Sequence, residues 1–239
     1  MSLKHNSFKK LRKDKTKWKI DSWEEYDERE ESFLKERIQN KEATIPGKVR
    51  ITAGKAKNMM LDIPKTTRPL TDRMKVKIFD MLGSDIAGKT VLDLYAGTGS
   101  FALESLSRGA KSAVMVEAAK QAYYVLQSNS LNTGFLSETE VIKSKVDDYL
   151  QKTVKTEKKF DIIFLDPPYK LFNTKKVSKM EDTINLASRL LPKDNKRFKG
   201  VILIKHPRRY PLEKLNLDLL KKFETYEFGL NSITIFVVK

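Results

Sequence analysis

Val91-Leu92-Asp93-Leu94-Tyr95-Ala96-Gly97-Thr98-Gly99-Ser100 reads as a buried strand that breaks into a glycine loop and opens a helix. Gly97 and Gly99 let the backbone turn tightly and lie close to a ligand where a Cβ would collide. The helix beginning near Ser100 offers free amides to that ligand. In a doubly wound sheet, ligands sit outside the carboxyl ends of the strands, near the switch in strand order. The spacing Gly97-x-Gly99-x-x-Ala102 also satisfies the dinucleotide pattern, and Glu117 after the next strand suits ribose hydroxyls in either setting. On this stretch alone a nicotinamide dinucleotide and S-adenosyl-L-methionine (SAM) both stay open. Asp93 tilts the balance, because a carboxylate attracts a cationic amino-acid end and repels a pyrophosphate.

On either side, strand-sized apolar runs alternate with helical spacings. Strands are expected at Val91–Tyr95, Ala113–Glu117, Glu140–Lys143, Phe160–Leu165, Gly200–Lys205 and Thr225–Val238, the last with a Gly229-Leu230-Asn231 turn. Helices are expected at Ser100–Arg108, Lys120–Asn132, Asp147–Val154, Glu181–Leu190 and Leu212–Leu219. Short apolar strands separated by helices imply a parallel sheet covered on both faces. Upstream, Val49–Ala53, a turn at Gly54 and Asn58–Ile63 spell a β-hairpin. Thr71–Leu82 follows as a helix with Met74, Ile78, Phe79 and Leu82 on one face. The fold class is therefore α/β: Rossmann-like, with a mostly parallel sheet, an antiparallel C-terminal strand and an N-terminal β-hairpin.

A second motif narrows the chemistry. The strand Phe160–Leu165 ends in Asp166-Pro167-Pro168-Tyr169. The two prolines fix two φ angles and remove two backbone donors, so this loop presents carbonyls and a carboxylate. An exocyclic base amine is a poor nucleophile because its lone pair is delocalised into the ring. Acceptors on both N–H bonds, from the Asp166 carboxylate and the Pro167 carbonyl, pull it toward a pyramidal form and stabilise the charge that develops. Tyr169 offers a face for the base, and such stacking contributes roughly 1–3 kcal/mol. A stacked base cannot reach this loop, so flipping or a single-stranded target is implied. Together the two motifs point to a class I SAM-dependent amino-methyltransferase.

Composition limits the alternatives. The 239 residues include no cysteine and only His5 and His206, so thiol chemistry is excluded and a metal site is not expected. No apolar run approaches the ~18–20 residues of a membrane span, and no apolar signal core follows the N-terminal lysines. A cytoplasmic protein is expected. The net charge of +16 is unevenly spread: residues 1–20 carry +7, residues 21–47 carry −5 and the remainder +14. A basic body with a basic arm suits a polyanionic partner. Residues 1–47 read as a basic arm followed by a charged helix over Asp21–Glu42, with a break at Pro46-Gly47; residues 48–239 read as the methyltransferase domain, of which 48–66 form the hairpin.

The chain resembles the RsmD-type methyltransferases, which modify guanine N2 in bacterial 16S rRNA. The resemblance runs through Arg50-Ile51-Thr52-Ala53-Gly54-Lys55, Arg68-Pro69-Leu70-Thr71-Asp72-Arg73, the Asp93–Gly99 stretch, Leu103-Glu104-Ser105-Leu106-Ser107-Arg108-Gly109-Ala110, Glu117, Asn129 and Asp166–Tyr169. It implies that Asp93, Tyr95, Gly97, Gly99 and Glu117 bind SAM, with S-adenosyl-L-homocysteine as product. Thr71 and Arg73 would flank the cofactor and target pocket, and Asp166, Pro167, Pro168 and Tyr169 would form the catalytic loop. Arg50, Lys55 and Lys57 on the hairpin, with Arg68, Arg73 and Lys170, would grip ribosomal RNA or the small subunit. The enzyme is expected to act as a monomer.

Three departures from the family pattern stand out. Lys145-Val146 replaces the Asp or Asn before a small residue after the third strand, leaving the adenine amine to Asp147 or Asp148. Lys205-His206-Pro207-Arg208-Arg209 replaces an acidic strand end and reads as added phosphate contacts. Residues 1–47 have no counterpart in the minimal family and read as an RNA-gripping arm. Two rivals remain: a DNA adenine-N6 methyltransferase, which uses the same tetrapeptide but usually needs a target-recognition domain that has no room after Lys170–Lys176, and a catalytically silent RNA-binding assembly factor.

Overall fold

The computed structural model describes residues 28, 32, 44–172, 177–192, 200–210 and 212–239. The basic arm and all but two residues of the expected charged helix lie outside these residues.

Seven strands form one sheet: β3 (Thr90–Leu94), β4 (Ser112–Glu117), β5 (Thr139–Lys143), β6 (Ile162–Leu165), β7 (Val201–Pro207), β8 (Leu220–Phe228) and β9 (Asn231–Val238), in the order β5-β4-β3-β6-β7-β9-β8. The first five are mutually parallel, while β9 is antiparallel to both neighbours. The chain leaves β3 in one direction for β4 and returns on its other side for β6, so the order reverses between β3 and β6. That is where such a sheet opens a crevice.

Period-two alternation splits the core into two layers. Ile162, Phe164, Val201 and Leu203 face one apolar cluster, while Ile163, Leu165, Ile202 and Ile204 face the other. The first layer is closed by α1 (Asp72–Leu82), α2 (Ser100–Ser107) and α3 (Lys120–Asn132), the second by α4 (Val146–Thr153) and α5 (Val177–Ser188). Within the first layer Phe101 stacks between Phe79 and Phe164, with centroids 5.5 and 4.3 Å away, which anchors β6 just before Asp166. Thr71 caps α1, its hydroxyl accepting from the Met74 N–H at 3.3 Å.

The hairpin pairs β1 (Thr44–Arg50) with β2 (Met60–Pro64) in antiparallel register. Pro46-Gly47, expected as a break, falls inside β1, where the register shifts between Thr44 and Lys48. An irregularity in an edge pairing accommodates the missing proline donor without ending the strand. The hairpin does not stand alone. Asn129 of α3 binds β2 as a strand would, accepting from the Asp62 N–H at 2.9 Å and donating to the Asp62 carbonyl at 3.0 Å.

One expected element is absent. Leu212–Leu219 forms only a short 3-10 turn at Leu212–Lys214 before β8 begins. The Asn216 N–H donates to Glu181 and the Asp218 N–H to Asn185, while Asn185 donates to the Asn216 carbonyl. Side chains of α5 thus claim the backbone groups that a helix would need for itself. The terminal hairpin is present, and its outer strand starts earlier than expected. Along β8, Lys221, Lys222 and Glu224 are exposed, and the pairing is irregular between Lys222 and Glu224.

Candidate active site

A cleft of about 1360 Å³ opens over the carboxyl ends of β4, β3, β6 and β7. Small-molecule pockets run to roughly 300–1,000 Å³, so this space exceeds one small ligand. Its floor is acidic. Asp93, Glu117 and Asp166 leave the ends of three adjacent strands and all line it.

Asp93 is 1% exposed, and its Oδ2 accepts from the Ala102 N–H at 3.2 Å. Burial pushes its carboxyl well above the ordinary carboxylate range; the charges of Asp166 and Glu117 push the same way, and the Ala102 N–H opposes them. A cation brought beside it would favour the ionised form. Glu117 accepts from the Gly97 N–H at 3.1 Å and the Ala119 N–H at 2.8 Å, which clamps the glycine loop to the end of β4. These carboxylates fit a ligand with a cationic amino-acid end and ribose hydroxyls. A dinucleotide pyrophosphate would meet like charge.

The glycines divide their labour differently from the sequence reading. Gly97 lines the cleft at φ 57°, where a Cβ would press on Thr67 at 3.0 Å. Gly99, at φ 74°, is turned from the cleft: its Cβ would lie 2.8 Å from Leu126 Cδ2 and 3.0 Å from Met115 Sδ. It is required by the core, not by ligand clearance. Tyr95 is half-buried in the cleft wall with φ 63°, a left-handed conformation unusual for a bulky residue. Burial raises its phenol, the Asp147 charge adds to this, and a hydrogen bond with Thr183 opposes it.

Asp147 reaches the cleft but is already engaged by α5. It accepts from the Thr183 hydroxyl at 3.0 Å and pairs with Lys179 at 3.0 Å. Lys145 also lines the cleft and is exposed. Thr71 and Arg73 are placed outside the lining. Thr71 is occupied as the cap of α1, and Arg73 is exposed on that helix.

After β6 the chain runs Asp166-Pro167-Pro168-Tyr169, with the Asp166 N–H donating to the Leu94 carbonyl at 3.3 Å. All four residues line the cleft. Arg68 lies over the Tyr169 ring, its guanidinium carbon 5.0 Å from the centroid. Lys170, Lys145, Lys179, Arg209 and Lys214 are exposed along the cleft. An acidic floor beneath basic walls suits a cationic small molecule below and a polyanion above.

The strand end at Lys205-His206 corrects the expectation of phosphate contacts. Both side chains are 4% exposed. His206 joins the Pro207 carbonyl at 2.9 Å and the Thr234 hydroxyl at 2.8 Å. Lys205 donates to both oxygens of Asp166 at 2.8 Å. Arg208 is exposed and pairs with Glu227. Sequence reasoning missed this pair because its partners are 39 residues apart; the parallel pairing of Leu165 with Ile204, one residue before each, is what aligns them.

Of the hairpin residues, Arg50 pairs with Asp72 at 2.7 Å, while Lys55 and Lys57 are exposed around the turn. Lys75, unnoticed in the sequence, is wholly buried on α1, where it donates to the Arg50 carbonyl and sits 3.8 Å from Glu104. Among the described residues no helix is long and apolar enough to cross a membrane.

Comparison with known proteins agrees with this layout. The family model described as conserved hypothetical protein 95 matches residues 49–237. A Bacillus subtilis protein proposed as an rRNA methyltransferase, YlbH, is 31% identical over 191 residues, covering 79% of this chain and 98% of that protein. The ribosomal RNA small subunit methyltransferase D of Escherichia coli K12 is 31% identical over 142 residues, 59% of this chain and 67% of that protein. A crystal structure of a proposed methylase from Haemophilus influenzae superposes with a TM-score of 0.63 at 28% identity, covering 80% of this chain and 99% of the other. The match spans hairpin, glycine loop and Asp-Pro-Pro-Tyr loop together, and the chain belongs to the conserved hypothetical protein 95 family of RsmD-type methyltransferases.

Proposed function

We propose that this protein is a cytoplasmic SAM-dependent methyltransferase that modifies the exocyclic N2 amine of a guanine in small-subunit rRNA. The observation that carries the reading is the facing pair of Asp93 and Asp166, which leave the adjacent strands β3 and β6 at the point where strand order reverses. One carboxylate suits a cationic donor and the other a neutral amine acceptor of the methyl group.

Bound over Asp93 and Glu117, the cofactor supplies an electrophilic methyl group. The protein does the rest. Glu117 holds the glycine loop through Gly97 and Ala119, and its remaining acceptor sites would suit ribose hydroxyls. Asp166 and the Pro167 carbonyl accept the two amine N–H bonds, favouring a pyramidal nitrogen and stabilising its developing positive charge. Tyr169 stacks the target base once Arg68 yields its face of the ring. No strong base is needed, because the methylated amine becomes acidic and loses a proton after transfer. Lys55, Lys57 and the basic cleft walls supply phosphate contacts, so rRNA binding weakens steeply with salt. Asp147 remains a candidate for the adenine amine, provided it keeps an acceptor free of Thr183 and Lys179.

Tritiated SAM offered with 16S rRNA, small ribosomal subunits and duplex DNA tests the proposal, with the labelled nucleoside identified by mass spectrometry. N2-methylguanosine from rRNA or the subunit is expected. Label in DNA adenine, or SAM binding without transfer to any substrate, would overturn it. Asp166→Ala is expected to abolish transfer while leaving SAM affinity within a few-fold of wild type; near-normal turnover in that variant defeats the assignment of the loop.

A further inference from the structure

Lys205 lies at the carboxyl end of β7, 4% exposed, with its ammonium 2.8 Å from each oxygen of Asp166. A lysine is almost never fully buried unless paired, and here the partner is the acid that the function requires. The two side chains are held to each other by the sheet itself, because β6 and β7 pair in parallel through Leu165 and Ile204 immediately before them. His206, the next residue on β7, is tied to β9 through Thr234 and does not compete for the carboxylate.

We propose that Lys205 is a positioning residue for methyl transfer, clamping Asp166 in one rotamer as an anion whose remaining lone pairs are left for the target amine. A carboxylate has about four acceptor sites, so two bonds to the ammonium leave capacity for an incoming N–H. The other charged groups facing Asp166 are Arg68, from the segment before α1, and Asp93 on β3, with Glu117 on β4 adjoining Asp93. Burial holds the Asp166 carboxyl above its ordinary value, and Lys205, then Arg68, limit that rise. Without Lys205 the same burial would favour the protonated acid, which has one fewer acceptor and points a donor at the amine.

This inference rests on the reading of Asp166 as amine acceptor, so its test separates the two. Lys205→Met, Lys205→Arg and Asp166→Asn are compared with wild type for transfer to small subunits across pH and for SAM affinity by calorimetry. Carboxyl NMR of aspartate-labelled protein follows Asp166, assigned by the Asp166→Asn variant. In Lys205→Met the acid limb of activity and the Asp166 titration should move together to higher pH by about 1–3 units. SAM affinity should stay within about threefold, less than 0.7 kcal/mol. Lys205→Arg should keep the limb at its wild-type position whatever its rate. A rate lowered by one factor at every pH, with the Asp166 signal unmoved, overturns the proposal.

The NMR arm needs no turnover, so it decides the pair even if no substrate is methylated. It also covers a Lys205→Met protein that fails to fold, because wild-type Asp166 must itself read as ionised through the pH range of activity. A protonated signal there sinks the inference. Normal transfer by Asp166→Asn would sink the functional reading instead.

Discussion

Glu104, wholly buried on α2, accepts from the Thr52 hydroxyl at 2.6 Å and from the Thr52 N–H at 2.8 Å, so a carboxylate of the central domain ends inside the hairpin turn. It also accepts from the Ala53 N–H at 3.0 Å and pairs with Arg108 at 3.0 Å. Glu104→Ala would strip the turn of these bonds and deprive buried Lys75 of a counter-charge. Breaking a buried pair costs about 3–5 kcal/mol. A fall in Tm on the order of 10 °C is expected for a chain of this size. Rescue of thermal stability by pairing Glu104→Ala with Lys75→Met would identify the buried lysine, left with Asp72 as its carboxylate partner at 3.2 Å, as the cause; a Tm within about 2 °C of wild type in the single variant would contradict the argument.

Asn129 links two regions that sequence distance keeps apart. Besides its bonds to Asp62 of β2, its amide donates to the Thr98 carbonyl in the glycine loop at 3.0 Å. Asn129→Ala removes all three bonds and leaves buried backbone groups without them, at a cost of about 1–3 kcal/mol. SAM affinity should weaken by about tenfold as the loop loosens, a difference of 1.4 kcal/mol. Calorimetry on the purified variant measures it. An unchanged dissociation constant would show that the glycine loop holds its shape without the hairpin.

Asp93 should weaken the ligand-free fold. Its folded pKa lies above the unfolded value, so the folded state holds the proton more tightly than the unfolded chain. Stability therefore declines as pH rises from the unfolded value near 3.9 toward the folded one, and the loss is complete above it. Asp93→Asn is expected to raise the Tm of the SAM-free protein at pH 7.5 by about 2–4 °C for each kcal/mol relieved, with the gain fading toward acid pH. The same variant should lose SAM affinity at least tenfold. Thermal melts across pH, without and with SAM, would reveal a failure as equal melting temperatures at pH 7.5.

Gly54 lies tight against the end of α2. It sits at φ +84°, and an added Cβ would fall 1.9 Å from the Ser107 carbonyl oxygen, which accepts from the Lys55 N–H at 2.8 Å. Gly134, at φ +78°, has the same conformational demand and nothing within 4 Å of its Cβ position. Gly134→Ala should cost about 1–3 kcal/mol from backbone strain alone. Gly54→Ala should cost clearly more, because the turn must lift from α2. Urea unfolding of the two variants gives the comparison, and equal losses would mean that the clash relaxes freely.

Much of this layout was readable because it is written locally. Lys120–Asn132 was located as a helix and the crossover strands within a few residues, since burial on both faces leaves unbroken apolar runs. The glycine loop and the Asp166–Tyr169 loop announced themselves because few residue types meet their backbone demands. What stayed hidden depends on partners far along the chain. Leu212, Leu215 and Leu219 carry a helical spacing, yet Glu181 and Asn185 on α5 draw the backbone out. Lys205 and His206 read as phosphate contacts, and Lys75 passes unnoticed, until the fold brings their partners to them. Thr71 looked like a ligand contact, and its hydroxyl is occupied by the helix it starts. A charged residue's destination is decided by what the fold places beside it, and that is tertiary information.

β8 has one further consequence. A sheet's last strand leaves a row of backbone donors and acceptors on which another polypeptide can add itself. Here Lys221, Lys222 and Glu224 line that border, and the pairing slips beside Phe223, which is 62% exposed. Pairing along this border would have to accommodate its charged side chains, and a kinked border cannot extend in register. Recruitment of a second molecule by strand addition is thereby discouraged, even though a phenyl ring stands in open water there.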